Sequence, residues 1–560
     1  MSEHTTPETP IETSEGVVDV VGIKKKLKQQ QLTLHIILTA IFLAIWIGYR
    51  VDKSNEALSQ DYVGGNVIRL GNDNGAAKGD IVVANPWRNA SFSEILMFRS
   101  LFVTDSTFSE VNPSLAEKYE ILEDGVTYVI TMRDNQFWSD GTPITADDVL
   151  FSIEAFLKCT NVNSNISAAF YRISGVEEYV EGTATTISGI SMEGNTIHIQ
   201  LNDSFSNFAL LLTQFVPLPK HILEGEDYTT LTSGHEFFIN TNPVCSGEFL
   251  VEDIDENNNL ILGKNPYYTD DVSDIDTIMM CWDYNNEVLD YYATTDPTKM
   301  VSYRAMKGFE EHQVEVYFYR YFIFNLAGGD DGEPNLAMAD ERVRQAIYHA
   351  IDTETLMKDI YFNKTTPVFG GSLELSEQLY EYNPEKAKQL LEEAGYNFSR
   401  TFTLAYYSGD TSTRIMLEKI VEQLEAVGLK VELLKSSAGE LYASPTYDML
   451  LKNLSALNIE DWYNEYLSTN ANISQLLGRD GVFDDLIYEL TSTTDSDAYQ
   501  SIMKELVDLE QSLLHKMPLF LLSDAVYINT NRLSVPDDII FGNTRYRSDI
   551  RFDEWYILKE

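Results

Sequence analysis

Three sets of residues have the types that catalysis or metal binding needs, and spacing decides against each. His235-Glu236 begins the H-E-x-x-H pattern that puts two imidazoles on one helix face for zinc. Phe237-Phe238-Ile239 follow, so the second His is missing. Cys159, Cys245 and Cys281 lie far apart and fit no zinc spacing; three thiols allow at most one disulfide and leave at least one free. There is no G-x-S-x-G nucleophile elbow and no G-x-x-x-x-G-K-[ST] phosphate loop. With 87 Asp and Glu residues some close carboxylate pair is inevitable, so a glycosidase has no specific signal. The chain reads as a binder, not an enzyme, and no cofactor or metal is expected.

The elements that position a binding site need a large body. At 560 residues the chain exceeds one core, and two or three domains are expected. A net charge of −47 excludes nucleic acid, which needs a basic footprint. The 32 tyrosines each offer an apolar face with a polar tip, which suits a wet cleft. Residues 1–31 are polar and irregular, a disordered cytoplasmic tail by composition. Lys24, Lys25, Lys26 and Lys28 then precede an apolar run, 32–48. At ~1.5 Å per residue it is about 25 Å long, at the short end for spanning a bilayer. The lysines place the amino terminus inside. No small-x-small site follows, so an uncleaved anchor at 32–49 is preferred to a signal peptide, with a linker at 50–66 and the rest of the chain outside the cell or in the periplasm.

Periodicity predicts strands at 67–70 and 80–84, and a helix over 90–102 with Phe92, Ile95, Leu96 and Phe102 as its stripe. Residues 187–201 form a hairpin about Gly194-Asn195. The densest stretch is 112–157. A short amphipathic turn is expected at 113–119. Glu123-Asp124-Gly125 has turn chemistry, and 126–132 alternates like a half-buried strand. Asp140-Gly141 turns the chain again. Thr145 is placed to cap a helix whose first turn holds Asp147 and Asp148, and Val149, Ile153 and Phe156 line its apolar face. Strand-helix alternation over 402–450 reads as a second α/β lobe.

Leu115-Ala116-Glu117, Asp124-Gly125-Val126-Thr127-Tyr128 and Trp138 through Val149, in that order, resemble the signature of the family 5 extracellular solute-binding proteins, the dipeptide- and oligopeptide-binding components of ABC importers. Leu218-Pro219-Lys220-His221 continues the resemblance and makes His221 structural. So do Asn265-Pro266-Tyr267-Tyr268, the aromatic strand 314–326, the helix 340–352, and Tyr382-Asn383-Pro384. Tyr119 replaces the family's Trp, and Cys245 and Glu248 depart from its usual Gly or Thr and Pro. Arg342 and Arg344 are expected in surface ion pairs.

The resemblance implies an α/β, two-lobed periplasmic-binding-protein-like fold (type II, cluster C) with an extra subdomain. Lobe I would be 67–318, with the subdomain at about 100–202, completed by 525–560; lobe II would be 319–524. It implies hinge closure on a peptide and delivery to ABC transporter permease subunits. In peptide-binding relatives an A-D-Y-x-x-P segment pairs a carboxylate with the ligand's amino terminus. Glu460-Asp461-Trp462-Tyr463-Asn464-Glu465 stands there: Asp461 takes the amine, and Trp462 or Tyr463 walls the pocket. The Gly-Trp that precedes this segment in relatives is replaced by Asn453-Leu454-Ser455-Ala456. Another solute (oligosaccharide, nickel chelate, opine) and a sensor or scaffold without transport remain open readings.

Overall fold

The computed structural model describes residues 66–558 apart from short segments, the longest being 73–84, 282–288, 328–334 and 537–545, together with two short strands near the amino terminus. Two compact units form. One comprises Met1–Val63, Asn285–Val288 and Ala305–Lys307, and within it Glu12–Thr13 pairs antiparallel with Gly16–Val17. The apolar run 32–48 and the strand expected at 80–84 lie outside the described residues. Among the described residues no helix is long and apolar enough to cross a membrane.

The other unit is built on one eleven-stranded mixed sheet. Its spine is an antiparallel pair, Phe309–Phe324 and Lys516–Asn529, of 16 and 14 residues. Alternating aromatic and β-branched residues suit both strands to a sheet buried on its two faces. Beyond Lys516–Asn529, at its carboxyl end, lie Tyr291–Thr294, Val67–Asn72, Thr277–Cys281, Leu260–Lys264 and Phe249–Ile254, which make lobe I. Beyond Phe309–Phe324, at its own carboxyl end, lie Met449–Ser455, Thr401–Tyr406 and Lys430–Lys435, which make lobe II. The register of the spine slips between Glu315 and Phe318, which face Ser523 and Leu522, so extra residues bulge from one strand where the pair passes from lobe to lobe. A bulge bends a strand and sharpens its twist.

A separate four-stranded sheet forms the subdomain on lobe I, ordered Ala116–Ile121, Thr127–Met132, Thr196–Gln200, Ile190–Glu193. Tyr128, Ile130 and Met132 alternate inward as expected. The helix Ala146–Lys158 begins where Thr145 predicts, and the Asp148 carboxylate accepts from the Thr145 backbone N–H at 2.9 Å. The segment expected as a turn at 113–119 is instead largely strand. Gly125, at φ +70°, closes a tight hairpin that lays Ala116–Ile121 against Thr127–Met132.

Two further expectations are corrected. The helix over 90–102 is only Phe92–Met97. The carbonyls that would carry it onward are taken elsewhere: Met97 accepts from the N–H groups of Ser246 and Gly247, and Phe98 from the Arg547 guanidinium. A side chain on Gly247 would meet the Leu96 carbonyl, so only glycine permits this approach. Arg342 does pair with Asp340 on the surface, at 2.6 Å. Arg344 does not: it is buried, donating to Met338 O, Ala339 O and Leu513 O, where it ties together the carboxyl ends of two helices. Cys159, Cys245 and Cys281 are all buried. Burial pushes the Cys159 thiol up to about 11 and Cys245 to about 12, so neither is a ready nucleophile.

Lobe II has a charged core. Glu465 accepts from Lys452, from Lys516 at 3.0 Å and from the Tyr321 hydroxyl at 2.5 Å. Burial pushes its carboxyl up, but Lys452 and Lys516 outweigh that and hold it at about 2. A carboxylate with a depressed value stabilises the fold above its unfolded range, about 4.3, and the contribution fades as pH falls toward about 2. Glu465→Gln strands two buried ammonium groups and is expected to cost about 3–5 kcal/mol. Denaturant unfolding at neutral pH measures this, and a loss below about 0.5 kcal/mol would show that the pair is not held in the core.

Candidate ligand-binding site

The strand Met449–Ser455 leaves the lobe II sheet at Ser455, and the chain turns through Ala456 to Asn458 into a short helix, Ile459–Asn464. Asn458 caps it, accepting from the Glu460 N–H at 3.1 Å. The cap sets the carboxylates of Glu460 and Asp461 in the first turn, at the seam with lobe I.

Asp461 Oδ2 accepts from the Leu457 N–H at 2.7 Å and from Asn165 Nδ2 at 2.8 Å. Asn165 belongs to the lobe I helix Ser164–Phe170, which Asn163 caps. Asn165 also donates to the Tyr546 hydroxyl at 3.0 Å, and that hydroxyl donates to Ser455 O at 2.7 Å. Asn207 donates to Glu460, and the Ser206 N–H and hydroxyl reach Thr491 O at 3.1 and 3.2 Å. Lobe I therefore meets lobe II through neutral donors, and the two lobes are in direct contact across this seam.

Both acids are deeply buried, at 4% and 9% exposure. Among the described residues neither joins an ion pair. Arg172 pulls on Glu460 from beyond hydrogen-bond reach and is itself paired with Asp203 at 3.2 Å. Burial raises Asp461 to about 7 against the pull of the Leu457 and Asn458 N–H groups. Burial, then the Asp461 charge, raises Glu460 to about 7. The seam thus holds two carboxyls that resist charging and would take an added cation readily.

Trp462 and Tyr463 sit directly behind. Both have no exposed surface, and their polar atoms are turned to Glu510. Trp462 Nε1 donates to Glu510 at 2.6 Å, and the hydroxyls of Tyr463 and Tyr466 at 3.1 and 3.0 Å. A side chain on Gly371 would overlap the Trp462 ring, and the Gly371 N–H donates to the same Glu510 at 3.1 Å. Lys516 Nζ lies 4.1 Å from the Trp462 ring centroid and donates to Trp462 O at 2.9 Å. These bonds fix the turn that carries Asp461. His221 pairs with Asp140 at 2.7 Å, a structural contact at the start of a helix. Among the described residues no group of three or more His, Cys, Asp and Glu could hold a metal ion. Sequence reasoning missed Asn165, Asn207, Tyr546 and the part played by Glu460; only the adjacency of Glu460 to Asp461 gave a signal.

Raised carboxyls make the seam pH-dependent. Below about pH 3 both acids are largely protonated whether the seam is shut or open, and little penalty arises. As pH rises to about 7 the open, hydrated state loses protons first, so shutting becomes less favourable. The ligand-free chain is expected to scatter with a larger radius of gyration at about pH 8 than at about pH 5, and Glu460→Gln with Asp461→Asn is expected to shrink the difference. A chain more open at the lower pH would contradict this.

With this geometry established, comparison places the chain among known proteins. The oligopeptide-binding protein AppA of Bacillus subtilis is 21% identical over 534 residues, covering 86% of this chain and 92% of that one. The match to another relative, the periplasmic oligopeptide-binding protein OppA of Salmonella typhimurium, is 22% identical and spans 60% of this chain but only 64% of that protein's length. Lactococcal OppA, solved with an endogenous peptide in the closed conformation, superposes with a TM-score of 0.69 at 18% identity over 88% of this chain and all of that one. NikZ of Campylobacter jejuni, solved with Ni(L-His), gives 0.66 at 20% identity over the same shares. The fold is thus the two-domain, mixed α/β fold of these binding proteins. The family model of the bacterial extracellular solute-binding proteins, family 5, matches residues 110–475, well over half of the chain, and the protein belongs to that family.

Proposed function

We propose that this protein binds a peptide between its two lobes and hands it to the permease subunits of an ABC importer, with Asp461 holding the peptide's amino terminus. The observation that carries the reading is Asp461 itself: a carboxylate 9% exposed, at the seam of the lobes, with no cationic partner among the described residues. Leaving such a charge uncompensated is costly, and an ammonium at the seam would remove the cost. Asn165 and Tyr546 hold the place when no ligand is bound. Trp462 and Tyr463 brace the turn from behind, and the bulged spine supplies the hinge. Family membership and the peptide-binding names of several relatives support the same reading. It is a reading of transport binding, not of catalysis.

The test uses a peptide identified by mass spectrometry of what elutes from the purified chain. Asp461→Asn keeps the shape and removes the charge, and affinity is expected to fall by about 2–5 kcal/mol. Acetylating the peptide should weaken binding to the parent protein similarly, yet cost far less in the variant, because both changes remove one interaction. Affinity unchanged within about 0.5 kcal/mol in the variant would place the amine elsewhere.

The apolar run 32–48, preceded by Lys24, Lys25, Lys26 and Lys28, is read as an uncleaved membrane anchor with the binding body outside. The protein is then expected to fractionate with membranes and to keep its amino-terminal tail. A mature amino terminus beyond Gly48 would mean a cleaved signal peptide instead.

A further inference from the structure

Lobe II contains a cavity of about 400 Å³ that none of the seam residues lines. Its size lies within the range of small-molecule sites. Two buried charges lie at it, Glu510 and Lys516, and both are already committed. Glu510 accepts from Trp462, Tyr463, Tyr466 and the Gly371 N–H. Lys516 pairs with Glu465 at 3.0 Å.

Besides the neutral Thr353, Gln378 and Gln511 and the helix-capping Asp352, the remaining lining is made of apolar bodies and three acids. Phe369, Leu379 and Tyr382 are 38%, 50% and 46% exposed around this one opening. Large apolar side chains gathered in water mark a surface that something covers. Glu354, Glu377 and Glu381 are exposed at the same opening and join no ion pair among the described residues. Lys516 is the one basic residue in the lining, and it is spoken for. The uncommitted charge around the apolar walls is therefore wholly negative.

We propose that this cavity is a second ligand site, taking a small amine with an aromatic or aliphatic body, independent of the seam between the lobes. The body of the ligand covers the Phe369, Leu379 and Tyr382 surface. Its ammonium sits among Glu354, Glu377 and Glu381, where an anionic rim concentrates cations. An anion of the same shape is repelled, and a neutral isostere gains the apolar contact alone.

Calorimetric titration of the full chain with 2-phenylethylamine, 2-phenylethanol and phenylacetate tests this. The amine is expected to bind in the millimolar range or tighter, the alcohol more weakly and the acid not at all. Glu377→Gln with Glu381→Gln is expected to weaken the amine by about fivefold, the scale of losing exposed charge contacts, without changing peptide affinity. Phe369→Ser should weaken amine and alcohol alike, and Asp461→Asn should leave the amine unaffected. Equal binding of all three probes, no binding of the amine at millimolar concentration, or loss of the amine in Asp461→Asn with none in the Glu377/Glu381 variant would each overturn the proposal. Circular dichroism of each variant confirms that the fold is retained.

Discussion

The pairing of Phe309–Phe324 with Lys516–Asn529 is the constraint on which the rest of this structure depends. A strand of 16 residues at ~3.3 Å per residue is about 53 Å long, more than one lobe requires, so its two ends serve different half-sheets. Tyr291–Thr294 adds to one end through Lys516–Asn529, and Met449–Ser455 adds to the other through Phe309–Phe324. The register slip between Glu315 and Phe318 sits at the changeover. A bulge bends a strand, so the slip marks where the two half-sheets part; in hinge motions generally, few residues absorb the rotation and packed layers move whole.

Buried charge is handled in two ways on the lobe II side of that slip. Glu465 lies between Lys452 and Lys516 and is held at about 2. Glu460 and Asp461, within five residues of it in the chain, meet neutral donors and sit near 7. The short helix Ile459–Asn464 and its cap Glu465 therefore carry one finished ion-pair cluster facing the core and one pair of carboxyls, in no ion pair among the described residues, facing lobe I. The finished cluster, with Glu510 and its aromatic donors, makes that pair rigid. A site held by packing and hydrogen bonds keeps its geometry when the ligand arrives, so less binding energy is lost to ordering.

Much of this was legible in the sequence, for local reasons. The aromatic alternation over 314–326 marked the spine, and Asn383 with Pro384 marked a helix start that the structure retains, with Asn383 accepting from the Lys386 N–H at 3.0 Å. Thr145, Asp148 and Gly125 work through neighbours a few residues away, and propensity captures such contacts. What failed was set by distant partners. The helix after Phe92 stops because Ser246, Gly247 and Arg547 take its carbonyls. Arg344 is buried because two helix ends from separate segments converge on it. Asn165 and Asn207 meet Asp461 and Glu460 across sequence separations of 296 and 253, and an asparagine carries no local sign of such a role. The family resemblance pointed to Trp462 or Tyr463 as a pocket wall; that their polar atoms turn to Glu510 depends on a helix some 48 residues later.

The most direct measurement is a crystal structure of the chain with its co-purifying ligand retained. A ligand ammonium within hydrogen-bond reach of the Asp461 carboxylate, with Asn165 turned to the ligand or displaced, is the expected result. Ligand density lying elsewhere, or meeting Asp461 with a neutral or anionic group while Asn165 still donates to it, would contradict the assignment of this seam as the amine site.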